Sequence, residues 1–112
     1  MSLDISLSIE VDTGGRKPYP VVLYDANYTH NVTPMWKRAG VYDALYNSEG
    51  KLAKDVTGVL IAGFNHMRKN KEEYLPLNPE NGWGHYDTAL HFLWKFLKAC
   101  VAHPNATIGV WK

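Results

Sequence analysis

The chain has 112 residues, of which 46% are hydrophobic and 21% are charged, so it is too short for two ordinary domains and too apolar for intrinsic disorder. We therefore predict a single domain over residues 1–112, which can bury roughly two thirds of the surface of the unfolded chain. Twelve Lys and Arg residues against eleven Asp and Glu residues leave a formal net charge of +1. This near neutrality argues against a nucleic-acid partner, because a dedicated nucleic-acid-binding protein must neutralise many phosphates.

The cysteine content and the amino terminus bear on the cellular compartment. Cys100 is the single cysteine and cannot form an internal disulfide, which favours a reducing compartment. The chain does not open with a secretory signal, and no apolar run approaches the ~20 residues that are needed to span a bilayer. We therefore expect a cytoplasmic location and no membrane partner.

Two strands are predicted in the first quarter of the chain. In residues 3–11, apolar side chains alternate strictly with polar ones, which is the pattern of a half-buried strand. Residues 13–18 contain two glycines and a proline, as is typical of a hairpin loop. Residues 19–26 are apolar on both faces, which predicts a second strand that is more central in the sheet than the first. Residues 27–31 are expected to form the loop that leaves this strand.

The first helical region is predicted from its end signals. Thr33 is a suitable N-cap, Pro34 suits the first helical position, and Gly40 is a natural C-terminal glycine, so a short helix is expected between Thr33 and Gly40. Residues 41–46 place apolar side chains on one face and predict a further turn or two of helix.

Two longer helices and a closing strand follow. Apolar residues at steps of three and four predict a helix over residues 51–70. Residues 74–84 contain two prolines and two glycines and are expected to be a loop. A third helix starts near Tyr86 and stops before Pro104, and residues 106–111 alternate as a strand does. The predicted buried stripe of this third helix consists of Tyr86, Ala89, Leu90, Leu93, Leu97, Cys100 and Val101, with Phe92 and Trp94 outside it.

These elements predict an α+β fold with the order β-β-α-α-α-β. We expect a three-stranded, mainly antiparallel sheet with the helices packed on one face.

The leading candidate site is the polar segment between the second strand and the first helix. Ligands bind at such positions because side chains and free helix N–H groups converge there. A structural interpretation remains open, in which Asn31 or Thr33 caps the helix while Asn27 and His30 fix the loop. The candidate ligand-binding residues of this segment are Asp25, Asn27, His30 and Asn31.

A second cluster, Asn81-Gly82-Trp83-Gly84-His85-Tyr86, leads into the third helix. Its glycines allow sharp turns that hold the flat ring of Trp83 at a loop tip, where it could stack on a base, a sugar or a partner side chain. The alternative is that Trp83 closes the edge of the core while Asn81 caps the third helix. We include Asn81 and Trp83 among the candidate ligand-binding residues.

Evidence for catalysis or for a cofactor is weak in the sequence. Asp87 and His91 share a helical face, but the other members of a metal-ligand set are missing, so no metal and no cofactor are predicted. Cys100 lies on an apolar stripe and is expected to be a core residue rather than a nucleophile. An acid/base pair of Asp25 and His30 is the enzymatic alternative, although no nucleophile or oxyanion donor accompanies it.

Two motifs, Asn-Tyr-Thr-His-Asn at residues 27–31 and Asn-Gly-Trp-Gly at residues 81–84, carry a family resemblance. The first leads into Met35 and residues 39–42, and the second follows Asn78 and leads into the third helix. The chain resembles a group of small uncharacterised proteins encoded in bacteriophage and prophage genomes. The resemblance extends from about residue 24 to the carboxyl terminus and implies an origin, but it implies no activity.

Together these observations suggest a phage-type cytoplasmic accessory protein in which the two motif loops form one pocket for a small ligand, such as a nucleotide. In this hypothesis the Asn side chains hydrogen-bond the ligand, His30 contacts an anionic group and Trp83 stacks on a ring. The alternative is a protein-interaction module or a homo-oligomer without a small ligand. It would use exposed aromatic residues such as Trp111, Trp94 and Tyr46, together with a free strand edge.

Overall fold

A computed structural model describes residues 2–15 and 17–112, so that Met1 and also Arg16 of the predicted hairpin loop lie outside the described residues. Three strands, β1 (Ser2–Val11), β2 (Tyr19–Thr29) and β3 (Thr107–Trp111), form one antiparallel sheet in the order β2-β1-β3. The predicted α+β class and the order β-β-α-α-α-β are confirmed.

The helices lie between β2 and β3 in the sequence. They are α1 (Thr33–Ala39), α2 (Tyr42–Tyr46), α3 (Ala53–Lys69), α4 (Lys71–Tyr74) and α5 (Tyr86–Ala102). Two of them, α3 and α5, are long. A 3-10 turn at His30–Val32 precedes α1, and another at Leu75–Leu77 follows α4. Among the described helices, none has the length and apolar character needed to cross a membrane.

The hydrophobic core lies between one face of the sheet and the helices. Leu3, Ile5 and Leu7 alternate along β1 and are at most 1% exposed, because strand side chains two residues apart share a face. Trp36 of α1 and Phe96 of α5 are fully buried against this layer. On the opposite face of β1, Asp4 and Glu10 are exposed.

The prediction that β2 is the more central strand is wrong, because β1 is central and β2 is an edge strand. Its apolar residues on both faces do not indicate burial: Val22 is 60% and Tyr19 is 63% exposed. β2 also continues to Thr29, so the first part of the expected loop at residues 27–31 is strand. A bulge leaves Leu23 without a partner, since Leu7 pairs with Tyr24 and Ser8 with Val22.

Several helix boundaries differ from the prediction. Thr33 lies inside α1, where its hydroxyl donates to the carbonyl of His30, and Val32 takes the N-cap position. The segment over residues 74–84 is partly helical, through the end of α4 and a 3-10 turn. The buried stripe of α5 is rotated: Phe92 and Phe96 are buried, whereas Val101 is 59% exposed.

The molecule is elongated, with extents of 53 × 27 × 18 Å. β3 pairs with residues 4–8 of β1, whereas β2 pairs along the whole of β1. Beyond residue 8 the sheet therefore continues as a two-stranded ribbon, residues 9–11 with residues 19–21. This ribbon extends past the helices.

Candidate functional site

The two sequence motifs meet in the folded chain. The hydroxyl of Tyr28, at the end of β2, accepts a hydrogen bond from the backbone N–H of His85 at 3.3 Å and lies 2.6 Å from the hydroxyl of Thr88. A glycine at position 84 allows this loop to lie close to the end of β2, because a Cβ there would be 2.7 Å from the methyl group of Thr29. Its φ of +94° is also a conformation that favours glycine. The end of β2 and the loop before α5 therefore form one structural unit.

The loop between Asn81 and Gly84 holds Trp83 in solvent. Gly82 and Gly84 both have positive φ, and the side-chain oxygen of Asn81 accepts a hydrogen bond from the backbone N–H of Trp83 at 2.9 Å. Trp83 is 70% exposed, so the interpretation that it closes the core is wrong. Asn81 does not cap α5 either: Asn78 accepts the hydrogen bond from the first helical N–H, that of Tyr86.

A cavity of about 920 Å³ lies between the two motifs. Of the predicted residues, four line this cavity, and Asp25 and Asn81 do not. Tyr28, His85 and Thr88 also line it and were not predicted. The predicted residues in the lining are Asn27, His30, Asn31 and Trp83.

His30 is held by a second aromatic residue. Its Nδ1 lies 2.7 Å from the hydroxyl of Tyr46, which is itself stacked on Tyr42. Burial raises the pKa of Tyr46 to about 12, so this hydroxyl is protonated at neutral pH and hydrogen-bonds Nδ1 as a neutral phenol. With Nδ1 engaged, Nε2 is the ring nitrogen that remains for a ligand. Tyr46 is only 4% exposed, so the expectation that it forms an exposed interaction surface is wrong.

The amides of the first motif have different environments. Asn27 donates from its side-chain nitrogen to Ser2 and to Asp4, both at 2.8 Å, so this side chain joins β2 to β1. Asn31 is exposed, and its backbone N–H, not its side chain, takes part in the turn by donating to Thr29. Asn31 therefore does not cap a helix.

The predicted acid/base pair is not assembled. Asp25 lines cavities on the two faces of β2, whereas His30 lines the cavity between the motifs. The described residues also contain no group of three His, Cys, Asp or Glu side chains placed to hold a metal ion. Cys100 is fully buried, and burial raises the pKa of its thiol to about 12, which agrees with its expected role as a core residue.

The described lining of the cavity contains two imidazoles. His30 and His85 are the ionisable lining groups other than the phenol of Tyr28, and no carboxylate, Lys or Arg side chain is among the described residues of the lining. Because the described lining has no carboxylate, it suits an anionic group better than a cationic one.

Tyr28 was missed because the sequence predicted that β2 ends at residue 26, whereas the strand continues to Thr29. Tyr24, Ala26 and Tyr28 lie two residues apart, and each pairs with a buried residue of β1. Continuing β2 by this parity would have placed the ring of Tyr28 on the core face, beneath the motif loops. No short-range signal could pair it with His85, because the two residues are 57 positions apart.

Comparisons with protein-family models, with curated proteins and with solved structures found no match for this chain. The resemblance to phage and prophage proteins therefore remains a prediction. The geometry of the cavity is the basis of the functional proposal.

Proposed function

We propose that the cavity between the two motifs binds a small anionic ligand that carries an aromatic ring, such as a nucleotide. The observation that supports this most directly is the 70% exposed ring of Trp83 at the edge of a cavity that His30, His85 and Asn31 also line. A ring for stacking, two imidazoles for an anion and an amide for hydrogen bonds are the three groups that such a ligand requires.

The loop is shaped before any ligand binds. Gly82 and Gly84 supply the positive φ angles, and the Asn81 side chain fixes the backbone of Trp83. Because the backbone of the loop is already ordered, ligand binding has only the side chain of Trp83 to order, and more of the stacking energy contributes to affinity. Stacking of an aromatic side chain on a base contributes about 1–3 kcal/mol.

The anionic part of the ligand would lie against the imidazoles. The hydroxyl of Tyr46 orients His30, and the link from Tyr28 to the backbone of His85 fixes the segment that carries the second imidazole. Because no described lining residue has a carboxylate, a phosphate would meet no fixed negative charge there.

The proposal describes a binding protein rather than an enzyme, because Asp25 and His30 line different cavities. It includes a cytoplasmic location, supported by the single cysteine, and a phage or prophage origin, supported by the resemblance of the two motifs.

A thermal-melt panel tests the proposal. Nucleotides, cyclic dinucleotides and nicotinamide cofactors are added to the protein, with divalent ions as a separate set. A ligand at a hundred times its Kd adds about 2.7 kcal/mol, which raises the Tm of a domain of this size by on the order of ten degrees. We expect at least one phosphate-bearing compound to produce such a shift.

Two tryptophans provide a matched pair of variants. Trp83→Ala is expected to abolish the shift, whereas Trp111→Ala removes an equally large and 78% exposed ring from β3, outside the lining of this cavity, and should leave the shift unchanged. Asn31→Ala is expected to weaken it. A panel without any shift, or a shift that persists in Trp83→Ala, would contradict the proposal.

One observation favours the alternative of a protein-interaction module. Trp111 and Trp94 are 78% and 40% exposed, and large aromatic residues are enriched where proteins bind each other. Sedimentation at increasing protein concentration tests self-association: the interaction hypothesis in its homo-oligomeric form predicts a rising mass that Trp111→Ala or Trp94→Ala lowers.

A further inference from the structure

Among the described strands, β2 pairs with β1 alone, so its outer edge, beside α5, has no strand partner in the part of the chain that the structure describes. The other edge of the sheet, that of β3, is different. There, Ile108 exchanges backbone hydrogen bonds with residues 50 and 51, and the Glu49 side chain accepts from the N–H of Val110. One edge of the sheet is therefore closed by its own chain, whereas the other is open.

The pairing pattern shows which groups the open edge presents. Because Ile108 and Val110 direct their N–H groups away from β1, their β1 partners Leu7 and Ile5 direct theirs towards β2. In an antiparallel ladder, residues that bond to the neighbouring strand alternate with residues that point outwards. Their β2 partners are Tyr24 and Ala26, whose backbone groups therefore bond to β1. The backbone N–H and C=O groups of Asp25 and Asn27 point away from β1, to the open edge. These two residues offer two N–H donors and two C=O acceptors at the spacing of a strand.

A cavity of about 300 Å³ follows this edge. Five consecutive β2 residues, 24–28, form one wall, and α5 forms the other. The groove continues between Tyr24 and the last turns of α5 as a second cavity of about 190 Å³. An extended chain that lay in it would pair with β2 on one side and contact α5 on the other.

The helical wall of the groove is cationic. His91 and Lys95 line the first cavity, and Lys95 and Lys98 line the second. Lys98 lies over the ring of Trp94 at 4.6 Å, whereas Lys95 has no carboxylate within 4 Å among the described residues. Asp25 is the one carboxylate in the described lining, and it lies on the face of the sheet that is opposite to α5.

We propose that the groove between β2 and α5 binds an extended, acidic segment of a partner protein, which adds to the sheet as a fourth strand. Backbone pairing to Asp25 and Asn27 supplies affinity, as it does where peptides add to sheet edges. Alternate side chains of the segment face α5, where carboxylates meet Lys95 and His91. The bulge at Leu23 limits the regular edge to residues 24–29, which matches a segment of about six residues.

This proposal is independent of the ligand cavity between the motifs. The two surfaces share Asn27, Tyr28 and Thr88 in their linings, but Trp83, on which the nucleotide hypothesis depends, does not line the groove. Either proposal can fail without the other.

Three fluorescein-labelled octapeptides test the groove by anisotropy. The first alternates Glu and Thr, the second alternates Lys and Thr, and the third alternates Glu and Pro, which removes every second N–H donor. We expect the Glu-Thr peptide to bind at least tenfold more tightly than the other two, and to weaken as salt is added.

Matched variants separate charge from backbone pairing. Lys95→Glu should weaken binding of the Glu-Thr peptide at least tenfold, whereas Lys54→Glu makes the same change of charge at an exposed position of α3 and should have no effect. Asp25→Pro removes an outward N–H that β1 does not use, and edge strands tolerate proline. It should weaken binding at least tenfold, whereas Asp25→Ala keeps the N–H and should not weaken it.

Three results would overturn the proposal. The first is that the Lys-Thr peptide binds as well as the Glu-Thr peptide. The second is an absence of Glu-Thr binding at millimolar protein. The third is a dimer in sedimentation that Asp25→Pro dissociates, because the edge would then belong to a second copy of the chain.

Discussion

The two halves of β1, residues 3–7 and residues 9–11, have the same alternating sequence pattern but differ in how far their apolar side chains are buried. In the first half, Leu3, Ile5 and Leu7 are at most 1% exposed, whereas Ile9 and Val11 continue the same alternation at 37% and 38% exposure. The pairing of β1 with β2 continues along both halves. The difference lies in the helical layer, which buries the side chains of the first half and leaves those of the second half partly exposed.

The comparison shows that alternation specifies a face of a strand and not what covers that face. The apolar face of the ribbon is formed by Ile9, Val11, Val21 and Tyr19, which are cross-strand pairs. A two-stranded ribbon without a covering layer is marginally stable in water. Its apolar side chains therefore contribute less to folding than their equivalents under the helices.

The largest expected effect is a difference between two substitutions in one strand. Leu7→Ala removes a fully buried side chain and should cost about 2–5 kcal/mol of unfolding free energy. Ile9→Ala, two residues further along on the same face, should cost roughly 1 kcal/mol or less, because its side chain is partly hydrated already. Urea denaturation measures both, and equal losses at the two positions would show that the ribbon is covered in solution.

Two glycines of α3 extend the comparison to a helix. A Cβ at Gly63 would lie 2.2 Å from Val41 and 3.0 Å from the carbonyl of Ala39, whereas Gly58 has nothing within 4 Å. Gly63→Ala should therefore destabilise the protein by about 1–3 kcal/mol through overpacking. Gly58→Ala should stabilise it by roughly 0.5–1 kcal/mol, the ordinary gain in a helix. Thermal melts that gave both variants the same sign would refute this distinction.

The sequence predicted the secondary-structure elements better than it predicted which of their side chains are buried. The fold class and the order of elements are correct because turn residues and apolar periodicity are local signals. The position of β2 at the edge was missed because its apolar residues suggested burial, although Val22 and Tyr19 are exposed. Whether a residue is covered depends on distant parts of the chain, and α5 begins 57 residues after the end of β2.

In the candidate site, too, local sequence signals were predicted correctly and long-range contacts were not. Its motifs were found from residue types, and four of the six predicted residues line one cavity. The role of each asparagine was harder to predict, because two asparagines precede each helix: Asn27 and Asn31 precede α1, and Asn78 and Asn81 precede α5. Asn78 rather than Asn81 bonds to the start of α5, and Thr29 rather than Asn31 closes the turn after β2. Only the three-dimensional contacts distinguish these neighbours.

The next prediction concerns the buried thiol of Cys100. The pKa of Cys100 is raised to about 12 by burial, whereas a thiol in the unfolded chain has a pKa of about 8.5. Above pH 8.5 the unfolded chain releases this proton and the folded chain keeps it, so stability falls as the pH rises. We expect a loss of about 1–2 kcal/mol between pH 8 and pH 10, measured by urea denaturation.

The control for this prediction is Cys100→Ala. It lowers stability at every pH through a small cavity, but it should remove this fall between pH 8 and pH 10. The pKa values of Tyr46 and Tyr74 are raised to about 12, from an ordinary 10, so their effect belongs mainly to higher pH. An unchanged slope in the variant would assign the fall to other groups.

The smallest expected effect lies on the ribbon. Val11→Thr keeps a β-branched side chain at a 38% exposed position, so it should change the unfolding free energy by no more than about 0.5 kcal/mol. The same substitution at Val56 of α3, which is 4% exposed, puts a hydroxyl into the core and should cost more than 1 kcal/mol. Urea denaturation of the two variants at low and high protein concentration gives both values. If Val11→Thr became costly only at high concentration, the ribbon would be covered by a second copy, and the contrast between the two halves of β1 would hold for the monomer alone.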